Sequence, residues 1–270
     1  RFGLGTRQAY VNYTLRFPQE NMLPKVSGNY IIAVYTDSYP ENVVLTKRFM
    51  ISEPLLSIDA RVKKPTVVEF RTWRQEVDFS VDRSMLPDAN PYTDFFVVVR
   101  QNGRWDNAIR DLKPKMVLDN RLDFNYEKEN LFDGINEFRF VDLRSLKQIT
   151  PEIKSITIDS SGYRVVVKTD QKRAFNVFVS DRDINGEYLI LNHDVSVKQE
   201  VRADYANVEF SLYTGKPVTE GAIYIMGSLT DWQFSPASRM KYDSGHGVYR
   251  ITLKLKQGYY NYMYVMLGNN

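Results

Sequence analysis

Hydrophobic and polar positions alternate along most of this chain with a period of two, the spacing of a β-strand that has one buried face. In the stretch 248–255, tyrosine, isoleucine and leucine alternate with valine, arginine, threonine and lysine. In the stretch 259–265, Tyr260, Tyr262 and Tyr264 fall on one face of the next strand. Together with the apolar run before them, these stretches predict an antiparallel meander that carries a ladder of aromatic side chains.

Comparable stretches recur along the whole chain, separated by turn-forming pairs such as Pro-Asp, Asn-Pro, Asn-Gly and Asp-Gly. The other predicted strands are 9–17, 29–35, 43–51, 55–62, 76–82, 94–100, 121–126, 136–141, 155–158, 162–169, 174–179, 188–191, 208–213 and 222–226. Aromatic residues make up 13% of the chain and favour strands over helices. Because no helical segment of convincing length is found, the sequence predicts an all-β fold of tandem immunoglobulin-like or early-set β-sandwiches.

Proline residues divide this series of strands into three predicted domains, with Pro54 and Pro151 at the boundaries. We expect the C-terminal part of a first β domain in residues 1–53 and a second immunoglobulin-like sandwich in residues 54–150. A third, early-set-like sandwich is expected in residues 151–270. The chain starts without Met and stops just after a predicted strand, so we expect a fragment in which the third domain is truncated.

Composition and charge exclude several classes of function. The 36 Lys and Arg residues nearly balance 33 Asp and Glu residues, and without a basic block this argues against nucleic acid as a partner. Cysteine is absent, which excludes disulfides, thiol catalysis and cysteine-based zinc sites. No apolar run approaches the roughly 20 residues of a membrane helix, so we expect no transmembrane segment.

Longer motifs in the chain resemble one known family. Residues 255–262 read Leu-Lys-Gln-Gly-Tyr-Tyr-Asn-Tyr. Further similar motifs are 26–35, 45–49, 101–109, 112–114, 136–139 and 204–210. In this order they resemble the Plug protein family of the bacterial type IX secretion system. The resemblance implies a periplasmic protein whose partner is the outer-membrane translocon barrel, which it binds and plugs from the periplasmic side. It implies no catalytic residues and no cofactor.

The C-terminal motifs carry a second resemblance. Residues 227–232 read Gly-x-Leu-x-x-Trp, and a tyrosine-rich hairpin follows. This order is similar to the early-set sandwich of glycogen-binding modules, whose exposed aromatic rings stack on sugars. The alternative function is therefore a carbohydrate (glucan)-binding module that uses Trp232, Tyr260 and Tyr262. The competing interpretation places the tyrosines in the sandwich core, since large aromatic side chains dominate buried area.

Arg104 and Trp105 are the predicted protein-binding residues. Trp105 comes just after the turn Asn102-Gly103 and lies among polar neighbours. An exposed tryptophan beside an arginine favours contact with another protein, because these two residue types dominate binding hot spots. The competing interpretation is that Trp105 covers a local apolar patch.

The pattern around Gly186 resembles the first half of a calcium loop. Asp181, Asp183 and Asn185 place oxygen ligands at alternate positions before the glycine. The twelfth position of such a loop is Asn192, where a bidentate glutamate is usual. The competing interpretation is a polar hairpin turn in which the Asp and Asn side chains bond their own backbone.

Little in the sequence indicates catalysis. The chain has two histidines, His193 and His246, and neither lies in a nucleophile motif such as Gly-x-Ser-x-Gly. Both fall in turn-like segments, and we interpret them as exposed turn residues. We therefore expect no enzymatic activity.

Overall fold

A computed structural model describes residues 2–36, 41–134, 138–173 and 183–269 of the chain. Its regular structure is almost entirely β, which confirms the predicted fold class. Contacts divide the chain into two compact units. The middle unit is Thr14–Gly134, and the C-terminal unit combines Arg1–Tyr13 with Ile135–Asn270. The division into three sequence domains, with boundaries at Pro54 and Pro151, stays a prediction.

The middle unit contains the first nine strands of the described chain. They are β1 (Gly28–Tyr35), β2 (Val43–Ile51), β3 (Ser57–Lys63), β4 (Arg74–Asp82), β5 (Val98–Val99), β6 (Ile109–Arg110), β7 (Met116–Leu118), β8 (Arg121–Asp123) and β9 (Leu131–Asp133). Strands β1 and β2 form an antiparallel hairpin, and β5 and β6 form a second small sheet. The main sheet has the order β3-β4-β8-β7, with β9 also paired to β4. Short 3-10 helices cover Glu20–Met22 and Val68–Phe70.

The core of the middle unit lies under its main sheet. The rings of Phe79 and Phe124 stack with centroids 4.6 Å apart. The buried cluster is completed by Val81, Phe95, Leu112 and Leu122, and Val99 of β5 and Ile109 of β6 also pack against it. The apolar residues Val77, Phe79 and Val81 therefore lie at alternate positions of β4 and face this core, as the sequence predicts.

The C-terminal unit contains the remaining strands. They are β10 (Arg139–Asp142), β11 (Ile153–Asp159), β12 (Gly162–Val167), β13 (Tyr188–Ile190), β14 (Tyr205–Tyr213), β15 (Gly221–Met226), β16 (Lys241–Asp243), β17 (Val248–Lys256) and β18 (Gly258–Gly268). One sheet has the order β11-β12-β14-β17-β16. The other has the order β10-β18-β13, with β15 also paired to β18. A third short 3-10 helix covers Ser228–Thr230.

These two sheets bury one core between them. Val165, Val208 and Phe210 from the first sheet join Ile225 and Tyr262 from the second in a single buried cluster. Packing two sheets through their apolar faces is the arrangement of a β-sandwich. The prediction of sandwich architecture therefore holds for this unit.

The predicted meander of the C-terminal strands is wrong. In the structure β17 pairs with β14 and β16, whereas β18 pairs with β10, β13 and β15. The chain passes from one sheet to the other at Gln257, whose backbone N–H donates to the Asp204 carbonyl at 2.7 Å. Strands β17 and β18 each have an apolar face, and because they belong to opposing sheets, both faces contribute to the same core. Local alternation does not distinguish that arrangement from a meander.

Two other predicted strands also differ from the structure. Residues 9–17 form no strand, and Val11 makes only an isolated bridge with Phe2. The stretch 94–100 is reduced to the two residues of β5. The predicted strand 174–179 lies outside the described residues. In the part of the chain that is described, no helix is long and apolar enough to cross a membrane.

Candidate protein-binding site

Trp105 lies in the loop that joins β5 to β6. Asn102 and Gly103 turn the chain with φ of 51° and 73°, positive values that the Asn-Gly pair accommodates readily. The Arg104 N–H then donates to the Gln101 carbonyl at 3.0 Å and closes the turn. The local sequence thus explains why the chain reverses just before Trp105.

The indole ring of Trp105 lies near two guanidinium groups. The Arg100 Cζ is 4.5 Å from the ring centroid, and the Arg110 Cζ is 5.1 Å from it. Both distances are within the range of cation–π attraction. Trp105 is half-buried, so it has neither a fully exposed nor a fully covered ring.

Arg104 has a different environment from Trp105. Its Nε donates to Asp106 Oδ1 at 3.0 Å and its Nη2 donates to Oδ2 at 2.5 Å. These hydrogen bonds lower the pKa of the Asp106 carboxyl below its ordinary value. Only 10% of the Arg104 side chain is exposed. Both predicted residues are therefore partly buried, and Arg104 holds the loop through Asp106.

Trp105 and Arg100 face the β1–β2 hairpin across a cleft of about 300 Å³. The cleft is lined by Asn29, Tyr30, Ile31, Arg48, Phe49, Met50, Arg100 and Trp105, and we call it the Trp105 cleft. The Tyr30 and Phe49 rings stack with centroids 5.4 Å apart. Ile31 is 64% exposed and Met50 is 55% exposed. The arrangement offers aromatic and aliphatic surface beside positive charge, a combination that suits binding of another protein.

The hairpin residues of this cleft were not among the sequence-based candidates. They are 55 to 76 positions away from Trp105 in the chain, and only the tertiary fold brings them together. Their sequence signal was the continuous apolar run of 29–35, which predicts a strand but not its neighbour.

The carbohydrate-binding interpretation is not supported by the positions of its residues. Tyr260 is 3% exposed and Tyr262 is 1% exposed, so neither ring has a free face for a sugar. Trp232 is half-buried and meets the Phe138 ring edge to face at a centroid distance of 6.0 Å. The interpretation that Tyr260 and Tyr262 face the sandwich core is confirmed.

The buried tyrosines have hydrogen-bond partners at their hydroxyl groups. Tyr262 and Tyr264 both donate to Asp170 Oδ2 at 2.8 Å. The Arg139 Nη1 donates to Asp170 Oδ1 at 2.6 Å. Burial, and then the nearby Asp170 charge, raise the pKa of Tyr262 well above its ordinary value. This cluster satisfies polar groups within the core, which is a structural role.

The calcium prediction remains untested, because Asp181 lies outside the described residues. Asp183 Oδ1 accepts the Asn185 N–H at 3.0 Å, and Asn185 and Gly186 have φ of 55° and 80°. These are features of the alternative interpretation as a polar turn. Within the residues that the structure describes, no three acidic or histidine side chains form a metal-binding group.

Both histidines are exposed and lie in turns. The His193 N–H donates to the Arg144 carbonyl at 2.7 Å. His246 lies 2.8 Å from Asp243 through its Nδ1, in the turn between β16 and β17. Their interpretation as exposed turn residues is confirmed.

The fold defines a class, the all-β proteins built from β-sandwich units. Comparison with known proteins then narrows the assignment. A family model described as "Type 9 secretion system plug protein 1st domain" matches residues 1–53. The crystal structure of a hypothetical protein from Parabacteroides merdae ATCC 43184, determined at 2.30 Å, has a TM-score of 0.95 and 31% sequence identity. The match covers 100% of this chain and 68% of that one.

The chain therefore belongs to the type 9 secretion system plug protein family, as its sequence motifs predicted. Membership connects it with type 9 secretion. No curated protein is significantly similar to the chain in sequence.

Proposed function

We propose that this chain is a non-enzymatic, periplasmic component of type 9 secretion that binds the outer-membrane translocon and plugs its opening. The observation that carries the proposal is the exposed apolar surface of the β1–β2 hairpin, within the segment that matches the plug family. Its exposed large side chains are Ile31, Val34, Tyr35, Val43, Val44, Leu45 and Met50. These residues fall on both faces of the hairpin, since Ile31 and Val34 are an odd number of positions apart, and exposed apolar surface is typical of contacts with other proteins.

The proposed action is steric and needs no chemical step. A folded β-sandwich is rigid because its strands are cross-linked by backbone hydrogen bonds and its core is closely packed. Such a body can fill an aqueous opening, and a competing subunit that covers the same translocon surface would displace it. The Trp105 cleft and the adjoining hairpin provide the contact surface.

This proposal is tested by affinity capture from solubilised envelopes of the source organism. The wild-type chain is expected to recover the large outer-membrane translocon. The double variant Arg104→Ala/Trp105→Ala is expected to recover at most about one tenth as much translocon. The reason is that truncation of a hot-spot tryptophan typically lowers the binding free energy by about 2 kcal/mol or more. Thermal unfolding of the variant checks that the middle unit remains folded.

Phe96→Ala is the matched control, since Phe96 is a 78% exposed aromatic residue of the same unit that does not line the Trp105 cleft. It is expected to leave recovery unchanged. Failure of the wild-type chain to recover the translocon would overturn the proposed function. Undiminished recovery with the double variant would remove this cleft from the contact surface.

A further inference from the structure

The charge of the Trp105 cleft is entirely positive. Arg48 and Arg100 are the charged groups among its lining residues. The acidic residue closest to Trp105 in the sequence, Asp106, is paired with Arg104 at 2.5 Å. Because arginine stays protonated at all physiological pH values, the cleft presents positive charge throughout that range.

Both arginines have donor capacity that the protein leaves unused. The Arg48 side chain is exposed and forms no hydrogen bond or ion pair with any residue that the structure describes. Arg100 is half-buried and donates through Nη1 to the Gly103 carbonyl at 3.2 Å. A guanidinium carries five N–H donors in a planar fork that matches the two oxygens of a carboxylate. The cleft therefore provides donors suited to an acidic group.

The rest of the cleft favours apolar side chains beside that acidic group. Ile31 and Met50 leave more than half of their surface exposed and lie on the same face of the hairpin as Arg48, whereas the stacked rings of Tyr30 and Phe49 lie on the other face. Ile31 lies directly opposite Arg48 in the β1–β2 register, so the two side chains lie next to each other on the same face of the hairpin. The volume of about 300 Å³ accommodates a few side chains, at the lower end of the range for ligand sites.

From these features we infer that the Trp105 cleft binds a short extended segment of a partner protein in which a glutamate or aspartate is flanked by apolar residues. Arg48 and Arg100 bind the carboxylate, while Ile31, Met50 and Trp105 contact the flanking side chains. This inference rests on the proposed partner-binding role of the cleft. It does not require that the partner be the translocon.

The inference is tested with three labelled, capped pentapeptides of sequence Val-Tyr-X-Phe-Val, in which X is Glu, Gln or Arg. Fluorescence anisotropy with the full chain is expected to give at least tenfold tighter binding for the Glu peptide than for the Gln peptide. The reason is that charge-assisted hydrogen bonds contribute roughly 1.5–3 kcal/mol, and 1.4 kcal/mol is a factor of ten. The Arg peptide is expected to bind most weakly.

Variants then assign the preference to the two arginines. Arg48→Gln/Arg100→Gln is expected to reduce the affinity for the Glu peptide to that for the Gln peptide. Arg121→Gln is the matched control, because Arg121 is an exposed arginine of the same unit outside the cleft. It is expected to retain the full preference for Glu.

Other ligands of the same charge are examined with the same protein. Inorganic phosphate or phosphatidylglycerol vesicles that bind through Arg48 and Arg100 more tightly than the Glu peptide would overturn the inference in favour of an anion or lipid site. Equal or absent binding of the Glu and Gln peptides would also overturn it. If the translocon is nevertheless recovered by affinity capture, the proposed function stands and only the carboxylate inference fails.

Discussion

Gly186 is a residue whose identity is explained by both its backbone and its surroundings. Its φ of 80° lies in the left-handed region, where side chains with a Cβ are unfavourable. A Cβ at this position would also lie 2.7 Å from Phe138 Cε1 and would collide with the Trp232 ring. The Asn-Gly pair predicts the turn, but the aromatic residues above it are far away in the sequence.

We therefore expect Gly186→Ala to destabilise the C-terminal unit by about 2 kcal/mol or more, since it adds overpacking to the unfavourable φ. Gly215→Ala is the matched control because Gly215 has a φ of 72°, and a Cβ added there would have the Tyr213 hydroxyl as its nearest neighbour, at 3.5 Å. Urea unfolding measures both variants. Equal losses of stability would show that the contact with Trp232 and Phe138 has no energetic effect.

At the scale of elements, the N-terminal segment 7–10 is hydrogen-bonded to residues 201–204, although its sequence pattern does not indicate this contact. The Asp204 carboxylate accepts the backbone N–H of Arg7 at 2.5 Å and that of Gln8 at 3.2 Å. The Tyr10 hydroxyl lies 2.9 Å from the carbonyls of both Val201 and Ala203. Alternation over 9–17 predicted a strand, but Asp204 binds the backbone just before that stretch, and the Tyr10 side chain at its start is fixed by two carbonyl groups.

Asp204→Asn is expected to loosen this segment, because hydrogen bonds to a charged acceptor are stronger than those to an amide. Hydrogen exchange at the Arg7 and Gln8 amides should accelerate about tenfold, which corresponds to a loss of about 1.4 kcal/mol. Asp231→Asn, an exposed aspartate of the same unit, serves as the control and should leave these amides protected. Unchanged exchange in Asp204→Asn would contradict the assigned role of the carboxylate.

At the scale of the whole molecule, each hydrophobic core lies within one compact unit. The cluster around Phe124 belongs to the middle unit, and the cluster around Tyr262 belongs to the C-terminal unit. The middle unit also buries Glu76, which accepts hydrogen bonds from Thr66 and pairs with Lys63 at 3.1 Å. Burial alone would raise the pKa of Glu76, but the bonds from Thr66 and Lys63 outweigh it and lower that pKa below 4.5.

Glu76→Gln is therefore expected to destabilise the middle unit by about 2 kcal/mol at pH 7, through loss of charge-assisted hydrogen bonds. Because the pKa of Glu76 is lower in the folded state than in the unfolded state, its ionised form stabilises the fold at pH values above 4.5. This stabilisation is lost as the pH falls from 4.5 through the folded-state pKa. The difference between wild type and variant should thus shrink under acid. Hydrogen exchange, followed separately for the amides of each unit, measures the loss of stability at pH 7 and its decrease under acid. An equal loss of stability in the C-terminal unit would contradict the independence of the two cores.

Much of the fold could be predicted from local sequence. The period-two pattern located β3, β4, β14 and β17 to within about three residues, and the Asn-Gly pairs located two turns. These features depend on backbone geometry and on which face of a strand is apolar, and both are encoded by neighbouring residues. Trp105 was also singled out from its position after a turn.

The sequence by itself determined most of the strands, the two Asn-Gly turns, the family and the aromatic residues available for a core or a surface. The tertiary structure alone decided which sheet each strand joins, so it separated β17 from β18 and buried Tyr260 and Tyr262. It also placed the β1–β2 hairpin beside Trp105 and produced a cleft with two arginines. The physical reason is that strand pairing and side-chain packing are contacts between residues distant in the chain, which local alternation leaves open.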